Sequence, residues 1–359
     1  MPLLDEPRAK ALEQLTNIYG PKRVELRRTQ VEAKLRNMPI LDHAPLTDYD
    51  LRKEFNDILY PKGESLHSRY LSPPYSILNT TDAKWLARRR ELNEMLGAST
   101  GGRAENLTQG KVFAVREDDT GTSQFDAALT EIIYRWFSKP GDEVYDPFAG
   151  GHVRGTVATY CGRKYTGIEL STEQVEENRR VAEHLEYQVT WHNDDSKNAE
   201  KYTRDMEFDL LFTCPPYYDL EEYDSGDGDL SMLGTYDEFL LQYAEIFRIG
   251  AAHLKPNRFA VVVIGDLRDE KGFLRNLPND TVRIFKDLGF GLYNTAILQT
   301  SVGSAAFRAP MYFPSRKLVG LHQYVLVFYR GDTKKIKERL GLEPDLPPKK
   351  ATEQVGLFG

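Results

Sequence analysis

From about Gly121 onward, apolar runs alternate with amphipathic stretches, and this rhythm restricts the fold more than any other feature of the chain. The runs cover residues 143–148, 164–170, 189–192, 209–214, 258–266, 292–299 and 323–329, with helical patterns at 154–161, 172–185, 236–254 and 280–288. Strands buried on both faces and separated by helices predict a mostly parallel sheet covered on both sides. The last two runs have no helical pattern between them, only a Gly-, Pro- and Arg-containing segment over 301–321, so they are expected to pair as an antiparallel hairpin.

The rest of the chain is less regular. Residues 1–40 read as two solvent-washed helices with eight Lys and Arg against five acids. Residues 41–120 hold one clear helix, Asp82 to Leu96, containing the Arg88-Arg89-Arg90 cluster. The expected division is a helical region over 1–120, with target recognition as its candidate role, an α/β domain over 121–331, and a basic, Pro-rich tail over 332–359 that ends disordered.

With 359 residues, 40% apolar and 28% charged, the chain is a globular protein long enough for about two domains, and a fibrous or disordered one is excluded. No run approaches a membrane span and the first residues lack the pattern of a secretory signal, so a cytoplasmic setting is expected, with no membrane partner. Two cysteines, Cys161 and Cys214, are too few for a disulfide scaffold or a thiolate metal site, and no metal is expected. A net charge of −7 means that contact with a polyanion must come from local basic patches.

Four successive predicted strand ends carry polar or conformationally special residues: Asp146-Pro147-Phe148-Ala149-Gly150-Gly151, then Glu169, then Asn193-Asp194-Asp195-Ser196, then Thr213-Cys214-Pro215-Pro216-Tyr217-Tyr218. In open α/β sheets ligands bind at the carboxyl ends of strands. Glycines there let backbone approach a ligand, and an acid about 20 residues downstream can accept hydrogen bonds from ribose hydroxyls.

In these residues the chain resembles the S-adenosylmethionine-dependent DNA amino-methyltransferases, which methylate exocyclic nitrogens of adenine or cytosine. The likeness covers roughly 121–330 and includes Thr122-Ser123-Gln124 leading to Gly141-Asp142, the Asp-Pro-Phe turn, and Cys161-Gly162-Arg163 through Gly167-Ile168-Glu169. It implies a Rossmann-like methyltransferase sheet, S-adenosylmethionine as cofactor and DNA modification of the restriction–modification kind. Thr122, Ser123, Asp146, Phe148, Gly150, Glu169, Asp194 and Asp195 are the implied cofactor residues, and Cys214, Pro215, Pro216 and Tyr217 the implied catalytic ones. The segment 301–328 also resembles phage-borne members. Tyr218, Arg308, Arg316 and Lys317 are the candidate residues for a double-stranded DNA substrate with its target base flipped out. An RNA substrate and a homodimer stay open.

Two departures stand out. Cys214 occupies the position where the family has Asp, Asn or Ser, and His152-Val153-Arg154 replaces the usual Ser-Gly-Thr. A thiol is a weak hydrogen-bond acceptor. Cys214 therefore also fits a nucleophile for carbon (C5) alkylation of a pyrimidine, and a catalytically silent DNA-binding partner with the same fold is a third reading. Ser72-Pro73-Pro74-Tyr75 spells the cytosine-type tetrapeptide outright, but no apolar run leads into it, and it reads as a turn or substrate-facing loop. The stretch 219–229 holds six acids and no base, which reads as a solvated loop.

Overall fold

The computed structural model describes residues 4–39, 46–59, 65–97, 125–218, 230, 233–303 and 305–347. Two compact units emerge: Met1–Pro74 with Lys334–Pro348, and Tyr75–Thr333. The sheet unit thus begins well before Gly121, and the segment after Thr333 joins the helices of the first 74 residues.

In the helical unit the first 40 residues form three helices, Glu6–Tyr19, Pro21–Leu26 and Arg28–Asn37. They are not solvent-washed. Ala11, Leu15, Val31 and Leu35 pack with Leu51, Phe55 and Leu59 of the helix Asp48–Leu59 into a closed core. The mixed sequence hid this because each helix offers only a narrow apolar stripe, which a small core needs and a charge count does not register.

The sheet unit carries β1 (Ile77–Asn79), β2 (Glu143–Asp146), β3 (Lys164–Glu169), β4 (Thr190–Asn193), β5 (Phe208–Thr213), β6 (Leu254–Ile264), β7 (Gly291–Gln299) and β8 (His322–Arg330). The eight strands lie in the order β1-β7-β8-β6-β5-β2-β3-β4. Every neighbouring pair is parallel except β6–β8 and β7–β8, so only β8 runs against the rest. This is a Rossmann-like sheet closed by an antiparallel pair of strands, as the pattern of runs predicts. All six residues of β5 are buried, as expected of a central strand with helices on both faces.

Two elements differ from expectation. Residues 301–321 contain a helix, Ala305–Tyr312, interrupted by Pro310, where no helical pattern was visible; Ala305 is buried, but Phe307 and Met311 face outward rather than to a core. The edge strand β1 is only three residues long and pairs with the last three of β7, too short to register as a run. Because β1 is parallel to β7, Asn79 and Thr80 stand at the carboxyl edge of the sheet, while Tyr75 enters at the amino end. Thr80 fixes that arrangement by donating its N–H and Oγ1 hydrogens to the Gln299 carbonyl at 3.1 and 2.9 Å.

Candidate active site

The carboxyl ends of β2, β3, β4, β5, β6 and β7 share one edge, and the turn after β2 opens onto it. Asp146 is completely buried and meets four donors. Its Oδ1 accepts from the Thr213 hydroxyl at 2.6 Å and the Phe148 N–H at 3.1 Å; its Oδ2 accepts from Arg154 Nε at 2.6 Å and the Tyr165 hydroxyl at 2.8 Å. Arg154 also donates from Nη2 to the Phe148 and Ala149 carbonyls, the latter at 3.0 Å. Burial lowers the Arg154 pKa, but the fields of Asp146, Tyr165 and Cys214 more than restore it, and the guanidinium stays charged. The departure from the usual Ser-Gly-Thr therefore has a structural purpose: Arg154 holds the turn from beneath. Asp146, expected to line the methionine side of the cofactor, is spent on this internal network.

Gly150 has a φ of +53°, a conformation that favours glycine, and its N–H donates to Glu169 Oε2 at 2.7 Å. Glu169 Oε1 accepts from the Ser171 N–H at 2.9 Å. Burial raises the Glu169 pKa, and these two N–H bonds only partly oppose it. The turn sits close to β3 because Gly167 leaves room: a Cβ there would lie 2.8 Å from the Ala149 Cβ. The glycine turn and the acid at the end of β3 thus lie side by side.

At the end of β4, Asp194 accepts from the Asp195 N–H, Asn198, Lys201 and Tyr202 at 2.8 to 2.9 Å. Burial works against its charge, but the bonds from Asn198, Lys201 and Tyr202 win and bring the pKa to about 2. Asp195 receives the Lys197 N–H at 2.9 Å and its ammonium at 3.1 Å. Ser196 donates its hydroxyl to the Pro147 carbonyl, linking this loop to the glycine turn.

The fourth strand end carries Cys214, half-buried, beside Pro215 and Pro216. Tyr217 was expected to stack on a base. Its ring is instead 5% exposed and lies across Gly265, and its hydroxyl accepts from the Gly265 N–H at 3.0 Å and Gln323 Nε2 at 2.8 Å. As placed, it braces the ends of β6 and β8 rather than offering an open face. Tyr218 also packs inward, 5.6 to 5.7 Å from the Phe239 and Tyr236 rings, with the Arg275 guanidinium 4.9 Å above it.

Arg308, Arg316 and Lys317 lie in the β7–β8 connection, on the same edge of the sheet. The Lys317 ammonium reaches the loop after β6, where a Cβ on Gly272 would collide with it. Arg88 and Arg89, by contrast, are already engaged: Arg88 donates twice to the buried Glu131 at 2.7 Å, and Arg89 sits 3.5 Å from Asp126. Thr122, Ser123 and the acidic stretch 219–229 lie outside the described residues. The residues that the motifs do not mark are the supports, Tyr165, Thr213, Gly265 and Gln323, because nothing in a linear motif marks a partner on another strand.

The pieces present fit S-adenosylmethionine. A Cβ on Gly151 would meet nothing within 4 Å, and one on Gly150 only Arg154 Nη2 at 3.9 Å, so the turn faces free space. Each Glu169 oxygen has one lone pair engaged by an N–H and another left for a ribose hydroxyl. Among the described residues no helix is long and apolar enough to cross a membrane, and no group of three or more His, Cys, Asp or Glu could hold a metal ion.

No family model matches the chain. It is 39% identical over 75 residues to the DNA adenine methyltransferase YhdJ of Escherichia coli (strain K12), a match spanning 20% of this chain and 26% of that relative. Among solved structures, a methyltransferase from Pyrococcus furiosus is 17% identical with a TM-score of 0.39, covering 70% of this chain and all of that one. Magnesium protoporphyrin IX methyltransferase from Synechocystis PCC 6803 with bound SAM is 14% identical with a TM-score of 0.35, covering 54% of this chain and 71% of that one. Such loose superpositions carry little weight beside the strand order of the chain itself. The strand order and the glycine turn with its strand-end acid are those of a Rossmann-like fold, and over 75 residues the chain is similar to a DNA adenine methyltransferase.

Proposed function

We propose that this protein transfers a methyl group from S-adenosylmethionine to an exocyclic amino group of a DNA base, adenine or cytosine, taken out of the duplex. The observation that carries the reading is the convergence on neighbouring strands β3, β2 and β5 of Glu169, the glycine turn and Cys-Pro-Pro-Tyr. The partial identity to a DNA adenine methyltransferase supports it.

Bound S-adenosylmethionine would supply an electrophilic methyl group on a sulfonium. Glu169 would accept from its ribose, Gly150 and Phe148 would border the methionine end, and Asp195, less engaged than Asp194, would stand by the adenine. A base amine is a poor nucleophile because its lone pair is delocalised into the ring. Pro215 and Pro216 have no N–H to offer, so the backbone here presents carbonyls alone, which can hold amine hydrogens and localise that lone pair. Holding the amine in line with the methyl group then supplies much of the rate.

A second reading, carbon alkylation, rests on the place of Cys214, half-buried at the end of β5, where a thiolate could act as the nucleophile. Cys214→Ser separates the two. Serine accepts hydrogen bonds better than a thiol but has almost no alkoxide at neutral pH. Amino methylation predicts retained or increased activity with the same modified nucleoside by mass spectrometry. A loss of orders of magnitude, with cofactor binding intact, would transfer the assignment to carbon alkylation. No modified nucleoside from the parent protein would leave a silent DNA-binding partner.

A further inference from the structure

At the carboxyl edge of the sheet, the loops after β6 and β7 expose an unusual set of large apolar side chains. Phe307 is 81% exposed, Met311 72%, Leu318 74% and Phe273 70%. Phe307 and Met311 are one turn apart on the helix Ala305–Tyr312, so they project from one face, and Arg308 flanks that face. The two loops meet where Lys317 crosses Gly272. Residues 300–321 contain Arg308, Arg316 and Lys317 and no acid, a local charge of +3 in a chain of −7. Neither Arg308 nor Lys317 has an acidic partner among the described residues, whereas Arg316 donates to the Phe313 and Pro314 carbonyls and lies 5.1 Å over the Phe313 ring.

Apolar side chains this exposed, on a cationic rim, call for a partner that is polyanionic outside and flat and apolar inside. A second copy of the chain joined through the same patch would set +3 against +3, which argues against a symmetric dimer here. A nucleic-acid duplex matches both properties, with phosphates for the cations and stacked bases for the rings.

Building on the DNA reading, we propose that the helix Ala305–Tyr312 is a wedge. Phe307 and Met311 enter the base stack and fill the space left by the extruded base, while Arg308 and Lys317 hold the flanking phosphates. Unstacking is the cost such a wedge offsets, and that cost is smaller where a base is already missing.

The test is fluorescence anisotropy of a labelled mixed-sequence duplex, intact or with one abasic site, across a series of KCl concentrations. The parent protein should bind the abasic duplex about tenfold tighter than the intact one. Phe307→Ala with Met311→Ala should abolish that preference and leave the salt slope unchanged. Arg308→Gln with Lys317→Gln should lower the salt slope by about two and leave the preference. All four side chains sit at the surface or rim, and equal thermal midpoints would confirm intact folding. A preference that survives the double alanine variant overturns the wedge while leaving DNA methylation standing. Sedimentation showing a parent dimer that the alanine variant dissolves, with DNA preference unchanged, overturns it in favour of a self-association face. Methylated DNA nucleosides absent from reactions of the parent protein would remove the DNA reading itself, and the wedge with it.

Discussion

The chain spells nearly the same tetrapeptide twice, Ser72-Pro73-Pro74-Tyr75 and Cys214-Pro215-Pro216-Tyr217, in opposite relation to a strand. The second follows β5, a fully buried central strand, and opens onto the edge that holds the glycine turn and Glu169. The first precedes β1, a three-residue edge strand, so the chain passes through it at the amino end of the sheet before any ligand edge is reached. Their aromatic residues differ accordingly: Tyr217 is 5% exposed and doubly hydrogen-bonded, while Tyr75 is 61% exposed. In an α/β sheet the direction of the strand decides which motif reaches the ligand edge, and Tyr75 enters its strand from the other end.

The most severe test of this contrast is Asp146→Ala against Ser72→Ala. Removing Asp146 leaves Arg154 charged and buried with only carbonyl partners, and takes an acceptor from Thr213 and Tyr165. Breaking a buried ion pair from one side costs about 3–5 kcal/mol. Denaturant unfolding should report a loss of that size for Asp146→Ala and calorimetry a loss of cofactor binding. Ser72→Ala should leave cofactor binding and turnover at parental values. Parental stability in Asp146→Ala would mean that the turn is not held as described.

A smaller effect is expected from Tyr217→Phe against Tyr75→Phe. Losing the Tyr217 hydroxyl strands the Gly265 N–H and the Gln323 amide, a cost of about 1–3 kcal/mol. It also frees the ends of β6 and β8 to shift relative to Pro215, so kcat should fall more than cofactor affinity. Tyr75→Phe should change stability by less than about 0.5 kcal/mol and activity not at all. Equal kinetics for the two variants would break the comparison.

The central strands of the sheet were legible because a parallel sheet buries them on both faces as apolar runs, and the antiparallel pairing of the last two runs was expected from the lack of a helical pattern between them, although the short helix Ala305–Tyr312 stands there. The meeting of Glu169 with the glycine turn was legible for the same reason, since adjacent parallel strands bring their carboxyl ends together. What a motif could not convey is whether a side chain is available. Asp146 and Asp194 have the right identity and place, yet their oxygens are taken by Arg154, Tyr165, Lys201 and Tyr202 from elsewhere in the chain. Tyr217 became a brace for the same reason, because its partners Gly265 and Gln323 come from two later strands. The helix Ala305–Tyr312 escaped because its large apolar residues, Phe307 and Met311, serve no core, so they lack the periodicity that burial imposes.

The mildest expected effect separates the two edges by charge. Glu169 is held among buried groups, and burial raises its pKa above the ordinary 4.5 despite two N–H bonds. If its carboxylate accepts from the ribose, cofactor affinity must weaken as pH falls through that raised pKa, approaching tenfold per pH unit below it. Stability of the unliganded protein should respond with the opposite sign. A carboxyl that binds its proton more tightly folded than unfolded favours the folded state as pH drops, so its contribution grows through the raised pKa and is complete below 4.5. Glu169→Gln removes the proton site and should flatten both curves relative to the parent. Calorimetric titration with S-adenosylmethionine between pH 7 and pH 5, beside thermal unfolding without it, measures the pair. A parental pH dependence of affinity in Glu169→Gln would show that another group binds the ribose, and would detach the acid at the end of β3 from the site that the glycine turn defines.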